Sequence, residues 1–168
     1  AKNHSDIALF STESAANRRA HTAIAENAEN RTGLSDAGAA RMLLEGHYLF
    51  DVADDETDLS AYRVVILPDS VRPDDGLTQK LLAYTANGGR ILATGQSGLK
   101  PDMEEYALDF GVTCLGKAPC TPSYFRPGFP LKSFENAAFV MYTDARALQK
   151  TTGKILGTRE DPYFNRTA

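Results

Sequence analysis

The sequence predicts an α/β protein built on a mostly parallel, doubly wound sheet with helices on both faces. Three observations carry that expectation. Short apolar runs recur at Ile7-Ala8-Leu9-Phe10, Val64-Val65-Ile66-Leu67 and Ile91-Leu92-Ala93, the form of strands buried on both faces. Amphipathic stretches lie between them, around 35–48 and 75–86. The resulting strand, helix, strand order favours right-handed crossovers and a three-layer arrangement.

Each element has its own local reason. Ile7–Phe10 is a first strand, and Ser11-Thr12-Glu13-Ser14 is the polar loop expected at its C-terminal edge. Residues 15–33, rich in Ala, Asn and Arg without a clean apolar stripe, read as loop with some helix. Ser35 is placed to cap a helix whose apolar positions Ala39, Met42, Leu43 and Leu44 continue through Tyr48. Leu49 to Val52 reads as a second strand. The uninterrupted run at 64–67 places the third strand at the sheet centre.

Pro73-Asp74-Asp75 opens the next helix, which carries Leu77, Leu81 and Tyr84 on one face and stops at Asn87-Gly88-Gly89. Arg90–Thr94 is a fourth strand. A short helix from Asp102 to Phe110 and a fifth strand, Val112–Leu115, are expected after it. Prolines 119, 122, 127 and 130 make 117–136 irregular. Ala137–Thr143 and Lys154–Gly157 then read as late strands on a sheet edge, with a polar tail after them.

At 168 residues the chain is read as one domain, 1–168. It begins without Met and leads straight into a strand, which is expected of a boundary inside a longer gene. The net charge of −4, with both signs mixed along the chain, excludes a nucleic-acid footprint. No apolar run reaches the roughly 20 residues needed to span a bilayer, so no membrane partner is expected, and the compartment favoured is the cytoplasm. Cys114 and Cys120, six apart, fit neither a disulfide framework nor a zinc spacing. The acidic cluster Asp51, Asp54, Asp55, Glu56 and Asp58 lacks calcium-loop spacing and reads as a solvated loop. No metal and no cofactor is expected.

Sheets of this kind place catalytic chemistry in the loops after the strands. Thr94-Gly95-Gln96-Ser97-Gly98 stands at the turn that carries a nucleophile in several hydrolases. Its glycines are three apart instead of two on either side of the serine. His4, His21 and His47 all precede Ser97, outside the usual order of such a triad. Gly95, Gln96, Ser97 and Gly98 are therefore read as a degenerate nucleophile turn, and no residue is assigned as catalytic. Neither cysteine is followed by a histidine able to activate it.

Carboxylates at Glu13, Asp69, Glu104 and Glu105 are abundant, but helix capping and solvation explain them more simply than a glycosidic pair. Ser11, Glu13 and Asp69 at the sheet edge, with Tyr124 and Phe125 in a proline-bounded segment, are the candidates for cleft or partner contacts.

Tyr62-Arg63-Val64-Val65-Ile66-Leu67-Pro68-Asp69, then Leu82-Ala83-Tyr84 and Asn87-Gly88-Gly89-Arg90-Ile91-Leu92-Ala93-Thr94-Gly95, resembles the beta-galactosidase trimerisation domain family. The similarity runs from about Ile7 to Leu115. It implies a flavodoxin-like, class I glutamine-amidotransferase-like fold. The run from Leu156-Gly157 to Arg166 resembles the segment C-terminal to that domain in glycosyl hydrolases with a separate barrel.

The resemblance implies a non-catalytic accessory or oligomerisation domain of a glycoside hydrolase. The sugar-cleaving carboxylates would then belong to a neighbouring catalytic barrel of the same chain, and the parent would be a homo-oligomer. Two other readings stay open: a small α/β hydrolase using Ser97 or a loop carboxylate, and a module binding a carbohydrate or metabolite at the strand C-terminal edge.

Overall fold

The computed structural model describes residues 5–15, 34–132, 134 and 136–162. The expected loop and helix at 16–33, and the tail beyond Pro162, lie outside the described residues. The chain folds as two compact units, residues 1–103 and 104–168, where the sequence reading has a single domain.

The first unit is a four-stranded parallel sheet in the order β2-β1-β3-β4, with β1 at Ile7–Phe10, β2 at Phe50–Ala53, β3 at Val64–Leu67 and β4 at Arg90–Ala93. Helix α1, Leu34–Glu45, lies between β1 and β2 in sequence, and α2, Asp75–Ala86, between β3 and β4. The chain moves one way from β1 to β2 and the other way from β3 to β4. Right-handed crossovers then put the two helices on opposite faces, which is the three-layer, doubly wound arrangement. The β2 to β3 connection has no long helix among the described residues. It makes one 3-10 turn, Leu59–Ala61, pinned by buried Leu59 and capped by Asp58, whose carboxylate accepts from Ser60 N.

The core lies along the apolar runs. Ala8, Leu9, Phe10, Val65, Ile66 and Leu67 are all buried, because β1 and β3 are the two inner strands and lose both faces to neighbours. β4 is an outer strand and alternates between exposed and half-buried positions. Leu77, Leu81 and Tyr84 form the buried side of α2. That helix starts where the sequence indicates, since Asp74 adopts extended backbone and its carboxylate accepts Leu77 N at 2.8 Å.

Helix α1 departs from expectation at both ends. It begins at Leu34, so Ser35 lies inside its first turn and is no cap. It stops at Glu45 and does not reach Tyr48: Gly46 and His47 turn the chain out, His47 at φ +56, with Gly46 N bonded to Met42 O and Tyr48 N to Leu43 O.

The second unit is antiparallel. β5, Val112–Lys117, pairs with β8, Arg146–Lys150; β6, Ser123–Pro127, lies between β7, Phe139–Met141, and β9, Gly157–Glu160. The strand expected at 112–115 is thus present but belongs to a separate two-stranded sheet. The helix expected at 102–110 does not form. Asp102 sits at φ +56, whereas a capping residue needs extended backbone.

Within 117–136, read as irregular, the structure places β6. Its prolines do not break it, because Pro122 precedes the strand and Pro127 is its last residue. The strand expected at 154–157 begins instead at Gly157, where the Phe125 ring lies against the glycine and leaves no room for a side chain.

Candidate functional site

The turns that leave β3 and β4 are knitted together. Gln96 N donates to Asp69 O at 2.6 Å, Gly98 N to Val71 O at 2.9 Å, and Val71 N to Ser97 Oγ at 3.0 Å. Arg72 Nη2 reaches Gln96 Oε1 at 2.7 Å, and its Nη1 donates to the carbonyls of Lys100 and Met103, both at 3.1 Å. Two parallel strands that end side by side have thus extended their pairing into their loops. The small residues of 95–98 let one turn settle against the other.

This arrangement encloses the serine of the turn. Ser97 is 1% exposed, and its hydroxyl oxygen is engaged as the acceptor of a buried amide. A nucleophile needs an accessible oxygen and a base within hydrogen-bond reach. His47, the one histidine among the described residues, stands in the exposed turn after α1. Gln96 is tied to Arg72 and Gly95 is pressed against Asp69.

Sheets of this order present a switch point between β1 and β3 at their C-terminal edge. Of the sequence candidates, Ser11 and Asp69 lie there. Ser11 N donates to Ala53 O at 2.9 Å and its hydroxyl accepts Ser14 N at 3.3 Å. Asp69 is exposed, at φ +39, and its carboxylate accepts from Thr94 Oγ1 at 2.7 Å and Ser35 Oγ at 3.1 Å. Glu13 is exposed in the helical turn 12–15. Thr12 N donates to Asp36 Oδ2 at 2.9 Å, so the start of α1 closes on the end of β1. Tyr124 and Phe125 are half-buried on β6 of the second unit.

Sequence reasoning missed Thr94, Arg72, Ser35 and Asp36 as members of this network. Thr94 is the residue a sequence signal reaches: as the first residue after β4 it faces the turn after β3.

A cavity of about 710 Å3 opens at the other end of the sheet, the N-terminal edge. Arg63, Arg90 and Lys80 supply cations to its wall, Asp6 and Asp58 carboxylates, and Tyr84 an aromatic ring. Lys80 Nζ also donates to Asp55 O at 2.5 Å.

The acidic loop of the sequence is folded on itself: Asp54 Oδ1 accepts Glu56 N, Thr57 N and Thr57 Oγ1, and these bonds hold its carboxyl below the usual range. Among the described residues no three His, Cys, Asp or Glu side chains converge as metal ligands. None of their helices is long and apolar enough to cross a membrane.

Buried Cys114 in the second unit directs its thiol to Glu104 Oε2 at 3.4 Å, and Glu104 Oε1 pairs with Arg146 at 3.0 Å. That pairing ties the end of the Glu104 side chain to the β5–β8 sheet.

A family model described as a beta-galactosidase trimerisation domain matches residues 9–114. No curated protein matches the sequence. Among solved structures, the alpha-L-fucosidase isoenzyme 2 of Paenibacillus thiaminolyticus is similar at 42% identity and a TM-score of 0.84, over 98% of this chain and 24% of that one. The GH42 beta-galactosidase Gan42B of G. stearothermophilus aligns at 18% identity and a TM-score of 0.71, over 98% of this chain and 25% of its own. A beta-galactosidase of Bacillus circulans sp. alkalophilus aligns at 15% identity and 0.69, over 97% and 26%. The two beta-galactosidases share the fold, and this chain spans about a quarter of the length of each of the three.

Proposed function

This chain belongs to the beta-galactosidase trimerisation domain family, and from that premise we propose that it is a non-catalytic accessory and oligomerisation domain of a longer glycoside hydrolase. The observation that carries the reading is the buried Ser97 hydroxyl accepting Val71 N. The one turn of nucleophile type has become a structural clasp. Catalytic carboxylates then belong to a neighbouring barrel domain of the same chain, and the parent assembles from identical copies.

The names of the similar structures support a role independent of the sugar. One is an alpha-L-fucosidase and others are beta-galactosidases, so one fold accompanies enzymes that differ in both sugar and anomeric configuration. Ser11, Glu13 and Asp69 at the sheet edge, with Tyr124 and Phe125 on β6, are the contacts proposed toward the catalytic domain or a partner copy. The free thiols Cys114 and Cys120 fit a reducing compartment, the cytoplasm.

The isolated chain is expected to turn over neither aryl alpha-fucosides nor aryl beta-galactosides. Turnover that Ser97→Ala or the loss of one loop acid abolishes, in a variant whose melting curve shows it folded, overturns the reading.

The cavity at the N-terminal edge favours a second reading, a module that binds a carbohydrate or small polar metabolite. Its volume lies within the range of ligand sites, about 300–1,000 Å3, and its wall offers both donors and acceptors. Calorimetric titration with mono- and oligosaccharides tests it: heat that Arg90→Ala removes supports it, and flat titrations dismiss it.

A further inference from the structure

The cavity at the N-terminal edge of the parallel sheet carries charges that are unequally satisfied. One wall is a stripe of α2, where Lys80, Ala83, Tyr84 and Asn87 recur at helical spacing. The strand starts supply much of the rest: Asp6 leads into β1, Arg63 precedes β3 and Arg90 opens β4. β3 and β4 are parallel neighbours with Val64 beside Arg90. The two arginines therefore leave the same edge from strands that run roughly 5 Å apart.

The carboxylates of this cavity offer little opposition to an anion. Asp58 accepts Ser60 N on one oxygen and Ser60 Oγ on the other, each at 2.9 Å. Asp6 stands 3.9 Å from Arg63 Nη1 with both side chains largely exposed, a pairing that water makes weak. The cations keep more of their capacity. Lys80 bonds a carbonyl, Asp55 O, at 2.5 Å, which leaves its charge in place. The Arg90 guanidinium makes no hydrogen bond or ion pair among the described residues. Carbonyls at the end of α2, which would repel an anion, are taken by the amides of Asn87, Gly88 and Gly89. Three cations thus stand against two carboxylates, in a chain whose net charge is −4. Guanidinium groups grip carboxylates and phosphates through paired N–H donors, and a neutral hydroxyl draws far less from them.

We propose that this cavity takes a small acidic metabolite by its oxyanion, a carboxylate or a phosphate, held by Arg63 and Arg90 with Lys80 adding charge. The inference rests on the binding-module reading above and narrows it, since a neutral sugar offers only hydroxyls and is the weaker ligand.

Isothermal titration calorimetry of the chain at low salt tests this with four probes: glucose, glucuronate, glucose 6-phosphate and inorganic phosphate. Thermal melts establish that each variant is folded. At least one acidic sugar should bind about tenfold or more tightly than glucose, and should weaken as salt rises. Arg63→Gln and Arg90→Gln should each weaken it by about tenfold or more. Arg41→Gln, which removes an exposed arginine outside the cavity, should leave it unchanged. Binding of glucuronate alone identifies the group as a carboxylate, binding of glucose 6-phosphate alone as a phosphate, and inorganic phosphate that matches the latter shows the ring to be dispensable; each supports the oxyanion site. Glucose that binds as tightly as its acidic counterparts overturns the oxyanion assignment and leaves the binding-module reading standing. Acidic ligands that bind both cavity variants as they bind wild type overturn the cavity as their site. Flat titrations with all four probes overturn that reading, and this inference with it.

Discussion

Thr94 and Asp69 hold each other at the C-terminal ends of β4 and β3. The Thr94 hydroxyl donates to the Asp69 carboxylate at 2.7 Å and accepts the Asp69 amide at 3.0 Å. Both hydrogen-bonding roles of one hydroxyl are thereby used on a single residue. Asp69 needs the restraint, because it sits at φ +39, where a side chain other than glycine costs roughly 1–2 kcal/mol. Gly95, at φ +58, lies so close that an added Cβ would stand 2.9 Å from Asp69 Cα and O.

That geometry singles out two substitutions. Thr94→Val keeps the shape and removes both bonds, and is expected to destabilise the chain by about 1–2 kcal/mol. Gly95→Ala adds positive-φ strain to a backbone collision and is expected to cost more, about 2–4 kcal/mol. Urea unfolding midpoints check the order. A Gly95→Ala chain as stable as wild type would show that the two turns can separate without loss.

Much of the first unit was legible in its residues because its inner strands announce themselves. Val64–Leu67 has no polar position, and such a run fits only a strand covered on both faces. Asp74 capping α2 is a local signal, readable within one turn, whereas the stop at Gly46 is masked by apolar positions that carry the helical spacing on to Tyr48. The elements that escaped reading depend on partners distant in sequence. Arg146–Lys150 carries no apolar alternation and is a strand because β5 offers it a ladder. Ser123–Pro127 was hidden by prolines that mark the start and end of a strand as readily as a loop. The 95–98 turn reads as degenerate from its spacing, but its bonds to residues 69–72 require the parallel register of β3 and β4. That register is a tertiary fact.

Tyr84 makes stability depend on alkaline pH. Its hydroxyl donates to the carbonyls of Tyr62 and Arg90, at 3.2 and 3.3 Å, and burial pushes it above its ordinary value of 10.0 despite the Arg90 amide, which donates to the hydroxyl oxygen at 3.3 Å. A raised pKa means that the unfolded chain ionises first. The stabilisation is complete below pH 10 and is lost as pH climbs through the folded value. Tyr106, also raised, chiefly by burial, adds to the same slope. Tyr84→Phe is expected to be less stable near neutrality by about 1 kcal/mol, and to lose less than wild type between about pH 9 and 11. Urea midpoints across that range decide it, and parallel curves for the two proteins would remove Tyr84 from the account.

Arg126 and Glu160 form one of the pairs whose carboxylate is held below its ordinary value. Tyr124 pairs with Glu160 and Arg126 with Thr158 in the register of β6 and β9, so the Arg126 and Glu160 side chains meet diagonally on one face of the sheet. The guanidinium grips the carboxylate by its Nε and by its Nη2, the latter at 2.9 Å from Oε2, while its Nη1 holds Asn136 O at 2.6 Å. Those hydrogen bonds, ahead of the simple attraction of charge, hold the Glu160 carboxyl below its ordinary 4.5. The sign is that of any depressed carboxylate: the stabilisation is present above the unfolded value and disappears as pH falls through the folded one. Carbon-detected NMR titration is expected to place the Glu160 midpoint below 4.5 in the wild-type chain. Arg126→Met should return it toward 4.5. Arg126→Lys should return it part of the way, since an ammonium keeps the charge and loses the two-pronged grip. A Glu160 midpoint that is the same in all three would mean that the fork contributes nothing to holding β9 against β6.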